Sequence, residues 1–344
     1  MSGLFSRPQG IVCLLLILFL FLGGAGTVHA QTDPLQAGGL VLHSVADHAR
    51  LEMPGGRSVR VELPSRAEVS ALAELNRGWI AAGSAAGEDG RRTLFLLSAT
   101  GALPAPPGQQ GAMRQGAIFF VEDGTLQGMA WLEGNGDRSL AVRAAEWNGH
   151  AWKAVEPVSQ PGPGSQIALA GTVLSDGSWL LAWSAYDGED HEILWARRTA
   201  QGWSPARPVS KGNAVPDITP ALAAAGNGAL LVWSRYDGES YRLQLARFDK
   251  DGWKDERPIA PSGSFHPAFR GAPDHLYLLH QTARPSSWSV LELAPSGKVL
   301  RRASALSALM ERPVLSEGSE GIRLRWLAGQ WEATSAFKRV ERVP

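Results

Sequence analysis

The stretch "WSAYDGEDHEILWARRTAQGWSPARPVS", from Trp183 to Ser210, returns as "WSRYDGESYRLQLARFDKDGWKDERPIA", from Trp233 to Ala260, with no residue inserted or removed. Tyr-Asp-Gly (186–188 and 236–238), Ala-Arg (196–197 and 246–247), Gly-Trp (202–203 and 252–253) and Arg-Pro (207–208 and 257–258) all recur at an offset of fifty. A fixed period of this length constrains the fold more than local propensity does. Each copy must be the same supersecondary unit, packed on its neighbours. Weaker copies flank the pair: Gly83, Trp131, His280 and Trp326 stand where Trp183 and Trp233 stand. A second marker fixes the register, because Pro220, Pro267 and Pro313 each precede an anchor by thirteen residues.

Within one unit four strands can be read. "PALAAA" (220–225) ends at Gly226-Asn227-Gly228, and "ALLVWSR" (229–235) ends at Tyr-Asp-Gly. "YRLQLARF" (241–248) ends at "DKDG", and "WKDERPIA" (253–260) runs into a Pro/Gly/Ser loop. Alternation along the third strand, turn residues between strands and the absence of a helical stripe fit a half-buried sheet. Four strands per roughly fifty residues is the blade of a β-propeller. The expected fold is all-β, a six-bladed propeller over residues 31–344 as a single domain. The ring closes by N- and C-terminal strands sharing one blade, with residues 49–63 supplying its third and fourth strands. Seven blades is the alternative if residues 38–48 supply more than one strand.

Residues 1–30 are excluded from that fold. Arg7 is the only charge before the apolar run Ile11–Leu22, and Val28-His29-Ala30 gives a small-x-small cleavage pattern. This predicts a signal peptide and an exported protein, periplasmic or extracellular, with no stable membrane span after cleavage. An uncleaved N-terminal membrane anchor is the alternative. The single cysteine, Cys13, lies inside the run, so the mature chain would have no disulfide and no thiolate metal site or nucleophile. Lys plus Arg equal Asp plus Glu at 33 each, which leaves no basic field for nucleic acid.

Propeller topology sorts the repeated residues by face. Loops from second to third strand, and from one blade to the next, share an upper face where ligands usually bind. Tyr186, Asp187, Tyr236 and Asp237 are therefore candidate contacts, since an aromatic beside a carboxylate suits a sugar. The competing reading is turn chemistry, with Asp capping backbone N–H groups and Gly taking φ > 0. Asp217, His266, Glu311 and Arg312 lie near the marker prolines, at the starts of the innermost strands, and differ from copy to copy. Such variety is what a site needs and a scaffold does not. Trp183, Trp233 and Trp326 are expected in the core, and Trp152, Trp203 and Trp253 between blades. No residue is assigned as catalytic. No metal or cofactor is called for: "DHE" at 190–192 alternates faces on a strand, and there is no His-Glu-x-x-His, Gly-rich phosphate loop or Gly-x-Ser-x-Gly.

The order W-S-x-Y-D-G, A-R, G-W, P-V-S resembles the sialidase-like, Asp-box-type propellers over most of residues 70–330. The family's Ser-x-Asp-x-Gly-x-Thr-Trp box is reduced here to "AEWNGHAW", "TAQGWS" and "DKDGW". The resemblance implies three arginines gripping a carboxylate, a tyrosine–glutamate nucleophile pair and an aspartate acid. The Arg-Ile-Pro motif that carries the first arginine is missing, and no catalytic position transfers. Six-bladed fucose-binding lectins are a second comparison. The resulting expectation is a monomeric, non-catalytic binding protein that recognises a protein or glycan through its upper face. A diverged sialidase-like glycosidase and a propeller lectin are the alternatives.

Overall fold

A computed structural model describes residues 33–304 and 312–336, without 46, 109–111, 136–138, 211, 251, 284–285, 319–320 and 329–330; of 286, 303–304 and 316–336 it describes only the backbone. The expected signal segment and Glu311 lie outside these residues, as does the side chain of Trp326. Every described regular element is a strand, and the strands form seven successive sheets. Sheet 1 comprises Leu35–Ala37, Leu40–Val45, His48–Glu52 and Ser58–Glu62; sheet 2 comprises Ala67–Leu75, Gly78–Ala86, Arg92–Ser98 and Gly101–Leu103. Sheet 3 holds Met113–Glu122, Thr125–Gly134, Ala141–Glu146 and Glu156–Pro157. Sheet 4 holds Gln166–Val173, Trp179–Tyr186 and His191–Thr199, with Gly202–Trp203 and Arg207–Pro208 both on its third strand. Sheet 5 is Asp217–Ala225, Gly228–Tyr236, Tyr241–Asp249 and Gly252–Pro258; sheet 6 is Ser264–Ala272, His275–Ala283, Ser286–Leu293 and Val299–Ser304. Sheet 7 has three strands, Val314–Gly318, Gly321–Ala328 and Trp331–Ala336.

All pairings are antiparallel meanders, and the first strands of sheets 1 to 6 lie successively against one another. The chain is thus a β-propeller whose first strands line the axis. Sheets 1 to 6 are its six full blades, and the smaller sheet 7 is added by the C-terminal part of the chain. Residues 49–63 do supply third and fourth strands, but of a blade complete in itself, because residues 35–45 supply its first two. The expected shared terminal blade is therefore corrected. The ends meet through side chains instead. The Gln36 amide donates from Nε2 to the Leu315 carbonyl and accepts at Oε1 from the Leu315 N–H at 3.1 Å. Asp33 accepts the Arg312 N–H at 2.9 Å. An amide side chain here does the work of one ladder rung.

The core follows from strand parity. Second strands are buried on both faces, which is why they read as continuous apolar runs such as "WLLAW" and "ALLVW". Leu181 and Trp183 pack toward sheet 3, whereas Leu180 and Ala182 pack toward sheet 5. One blade later, Leu231 and Trp233 pack toward sheet 4, while Leu230 and Val232 pack toward sheet 6. The anchors Trp131, Trp183 and Trp233 are all 0% exposed, and His280 at the same position is buried too. The second tryptophan set bridges blades: Trp203 meets Phe120 at 6.4 Å, Trp253 meets Trp195 at 6.2 Å, and the Trp152 indole donates to the Pro104 carbonyl.

Candidate functional site

The upper face begins with the two repeated loops. In each, the Asp carboxylate caps its own turn: Asp187 Oδ1 accepts from the N–H groups of Glu189 and Asp190, and Asp237 Oδ1 from those of Glu239 and Ser240. These bonds hold both carboxyls below their ordinary range. The tyrosine hydroxyls donate back across the turn, Tyr186 to Gly188 and Tyr236 to Gly238. Gly188 and Gly238 sit at φ 119° and 98°, in the left-handed region where a side chain would be strained. Turn chemistry therefore accounts for the repetition of Tyr-Asp-Gly. Asp187, Glu189, Asp237 and Glu239 remain exposed above it.

Below these loops, at the junction of sheets 4 and 5, lies an enclosed charge cluster. Asp217 begins the inner strand, as expected, but is 0% exposed. Arg235 grips it two-pronged, Nε to Oδ1 at 2.7 Å and Nη2 to Oδ2 at 2.6 Å. The same guanidinium donates to Glu256 at 2.7 Å and to the Ser210 hydroxyl at 2.9 Å. The Asn213 amide bridges Asp217 and Glu192, at 3.1 and 3.3 Å. Asp190 completes the group, with Oδ1 buried and without a hydrogen-bond partner. The copies differ here by one residue that matters. Arg235 stands where the previous copy has Ala185, two positions after the anchor Trp.

Burial raises the carboxyls of Asp190 and Asp217, although Arg235 opposes the shift at Asp217. Glu192 is pushed up to about 7 by burial, with Asp217 and Asp190 adding repulsion. The folded state therefore holds the Glu192 proton more tightly than an unfolded glutamate does. The stability from this group is complete below the ordinary glutamate value of 4.5 and is lost as pH rises through about 7. Glu192→Gln is accordingly expected to stabilise the protein by about 2 kcal/mol at about pH 8 and by much less at about pH 5. Urea denaturation at the two pH values checks this; a variant less stable at the higher pH would refute the account. Among the described residues, no group of three or more His, Asp or Glu side chains is arranged to hold a metal ion.

His266 and Arg312 come together elsewhere, at the start of the inner strands of sheets 6 and 7. His266 occupies a β-bulge at φ 52°, and Ala168 and Thr219 take the same conformation at the same bulge in sheets 4 and 5. The marker prolines 220 and 267 follow these bulged residues, so that part of the repeat encodes a kink in the axial strands. Burial pushes the His266 imidazole down, and the charge of Arg312 pushes it further. The structure thus separates the sequence-chosen residues into the repeated loops with Asp217 on one side of the ring, and His266 with Arg312 on another. It adds Glu192, Arg235, Asn213, Arg270 and Gln36, which carry no repeat signal.

No family model matches the chain, and no curated protein matches it. Solved structures do. The polysaccharide lyase Uly1 superposes with a TM-score of 0.54 at 9% identity, over 93% of this chain and 90% of its own. A Mycobacterium tuberculosis puromycin-hydrolyzing peptidase matches with a TM-score of 0.50 at 13% identity, over 86% of this chain and 49% of its own. A putative TolB from Agrobacterium tumefaciens gives a TM-score of 0.44 at 14% identity, covering 66% of this chain and 79% of its own. At these identities what is shared is the propeller fold, common to proteins of different chemistry.

Proposed function

We propose that this chain is an exported, non-catalytic propeller that recognises a protein or a glycan through its upper face. The observation that carries this reading is the pair of internally capped loops at 186–190 and 236–240. Their backbones are held by their own Asp and Tyr side chains, so the exposed carboxylates of Asp187, Glu189, Asp237 and Glu239 are presented without further ordering. Pre-organised contacts lose less entropy on binding. The acids whose protonation is shifted upward belong to the enclosed junction beneath, and Asp217 there is spoken for by Arg235.

A hydrolase-like reading draws on Glu192, a carboxyl held near neutrality as a general acid would be. The two readings part in one experiment. A glycan array and a capture screen on the exported fraction are run with the wild type and with Asp187→Ala/Asp237→Ala, alongside turnover of methylumbelliferyl glycosides. Binding that falls at least about tenfold in the double variant, without turnover by the wild type, supports recognition by the loops. Unchanged binding removes the loops from the site, and turnover abolished by Glu192→Gln replaces the binding reading with the hydrolytic one.

A further inference from the structure

The inner strands beyond the acidic junction carry cations, beginning in sheet 6, whose first strand lies against the strand that bears Asp217. Arg270, on the inner strand of sheet 6, is half-buried, and its guanidinium meets no carboxylate among the described residues. It donates from Nε to the side-chain amide Oε1 of Gln36 at 3.2 Å and from Nη1 to the backbone carbonyl of Phe269 at 2.7 Å. Arg312 reaches the same short N-terminal segment from sheet 7. Among the described residues, its nearest carboxylate oxygen, on Asp33, is 3.7 Å away, its Nε is buried without a partner, and its guanidinium lies over the Trp288 ring at 5.7 Å. Burial and the charge of Arg312 lower Arg270 to about 10. His266 feels the same cation. Among the described residues, Asp33 is the one carboxylate set against this group, and it pulls His266 in the opposite direction.

A partly buried guanidinium without a carboxylate is costly, because the lost hydration is not replaced by an opposite charge. The neutral oxygens of Gln36 and Phe269 replace only some of its hydration. Two other partly buried arginines in the same fold are each held by two carboxylates. Arg235 holds Asp217 and Glu256, and Arg198 holds Glu146 and Glu156. Arg270 departs from that pattern on an axial strand, beside a second arginine with an unused Nε donor. Side chains with spare donors and excess positive charge are complementary to an oxyanion, which accepts several N–H bonds at once.

We infer that Arg270 and Arg312, with Gln36 and His266 beside them, form an oxyanion-binding site on the axis of the propeller, suited to a carboxylate or phosphate group. The site is separate from the upper-face loops. Its ligand is a small anionic molecule, or an anionic group on a longer chain that enters along the axis.

Inorganic phosphate and glucuronate are the probes, titrated by calorimetry and thermal shift against a constant chloride background. Saturable binding of either supports the site, and the stronger of the two names the anion class. Arg270→Gln and Arg312→Gln are each expected to weaken binding at least about tenfold, since each removes a charge-assisted contact. Arg242→Gln, on the outer part of the upper face, should leave it unchanged. The ligand-free melting temperature of Arg270→Gln separates a site from a strut. Removing an unneutralised cation should leave it level or raise it. A marked fall with the anion-induced rise intact would make Arg270 a structural support for Gln36 and overturn the inference. So would the failure of both probes to bind the wild type, or equal loss in Arg242→Gln.

Discussion

Arg235→Ala is expected to destabilise the protein by about 3–5 kcal/mol near neutral pH, because it strands buried carboxylates rather than merely losing a bond. Among the described residues, the side chain is the only cation hydrogen-bonded to Asp217, and it also neutralises Glu256. Without it, Asp217, Glu192 and Asp190 face one another in an enclosed junction, where two already repel the third. The deficit should be pH-dependent with a definite sign. Carboxyls whose folded-state pKa is raised take up protons as pH falls, so the variant should recover stability on acidification and lose more as pH rises through neutrality. Arg235→Lys keeps the charge but not the two-pronged fit, and should fall between. Arg235→Met combined with Asp217→Asn should be less destabilised than the two single losses added together, since neither partner is then left charged and alone. Urea denaturation across pH measures all five variants, the two single losses included. A deficit that does not change with pH would show that packing, and not the stranded charge, explains the loss.

How much of this could be read from the sequence depended on what the repeat encodes. The fifty-residue offset specifies the wedge, and everything that shapes the wedge was legible: the second-strand runs, the anchors Trp131, Trp183 and Trp233, the inter-blade Trp203 and Trp253, and the turn at Tyr-Asp-Gly. The terminal arrangement was not. Residues 35–45 lack the anchor residues and period of the middle copies, yet Leu40, Val41 and Leu42 pack as a second strand because burial, not motif, decides there. The charged junction was half legible. Asp217 was singled out because its equivalents vary, but the partner that determines its chemistry, Arg235, sits in the loose position of W-S-x-Y-D-G. Its significance lies in a contact with Asp217, eighteen residues earlier in the chain, across the first hairpin of sheet 5. Arg270 and Gln36 are harder still. They are separated by 234 residues and meet only because the ring brings its first and sixth blades to one axis.

Trp183→Ala should cost about 3–5 kcal/mol and shift the whole protein, not one blade. The ring is 0% exposed there and lies in a cluster shared by sheets 3 and 4, with Leu132, Leu140 and Val142 on one side and Trp179 and Leu181 on the other. Removing it leaves a void at a blade junction that strands on both sides are too well packed to fill. An open array of repeats can lose one interface and keep its ends. A ring whose ends are tied at Gln36–Leu315 offers no free end from which to peel, so one weakened junction should lower the single transition. Tryptophan fluorescence and far-UV circular dichroism should therefore give coincident urea curves at a lower midpoint; two separated transitions would mean that blades 3 and 4 come apart alone. Trp131→Phe tests the chemistry of the same position against its volume. There the indole N–H donates to Glu133 at 3.1 Å, whereas the Trp183 indole N–H has no partner. Glu133 is 3% exposed, with Arg143 only at 4.0 Å, so losing that donor leaves a buried carboxylate under-satisfied. Phe should consequently be tolerated better at 183 than at 131, by about 1–3 kcal/mol. Equal costs would mean that the anchors act by size alone and that the polar neighbours of each blade are incidental.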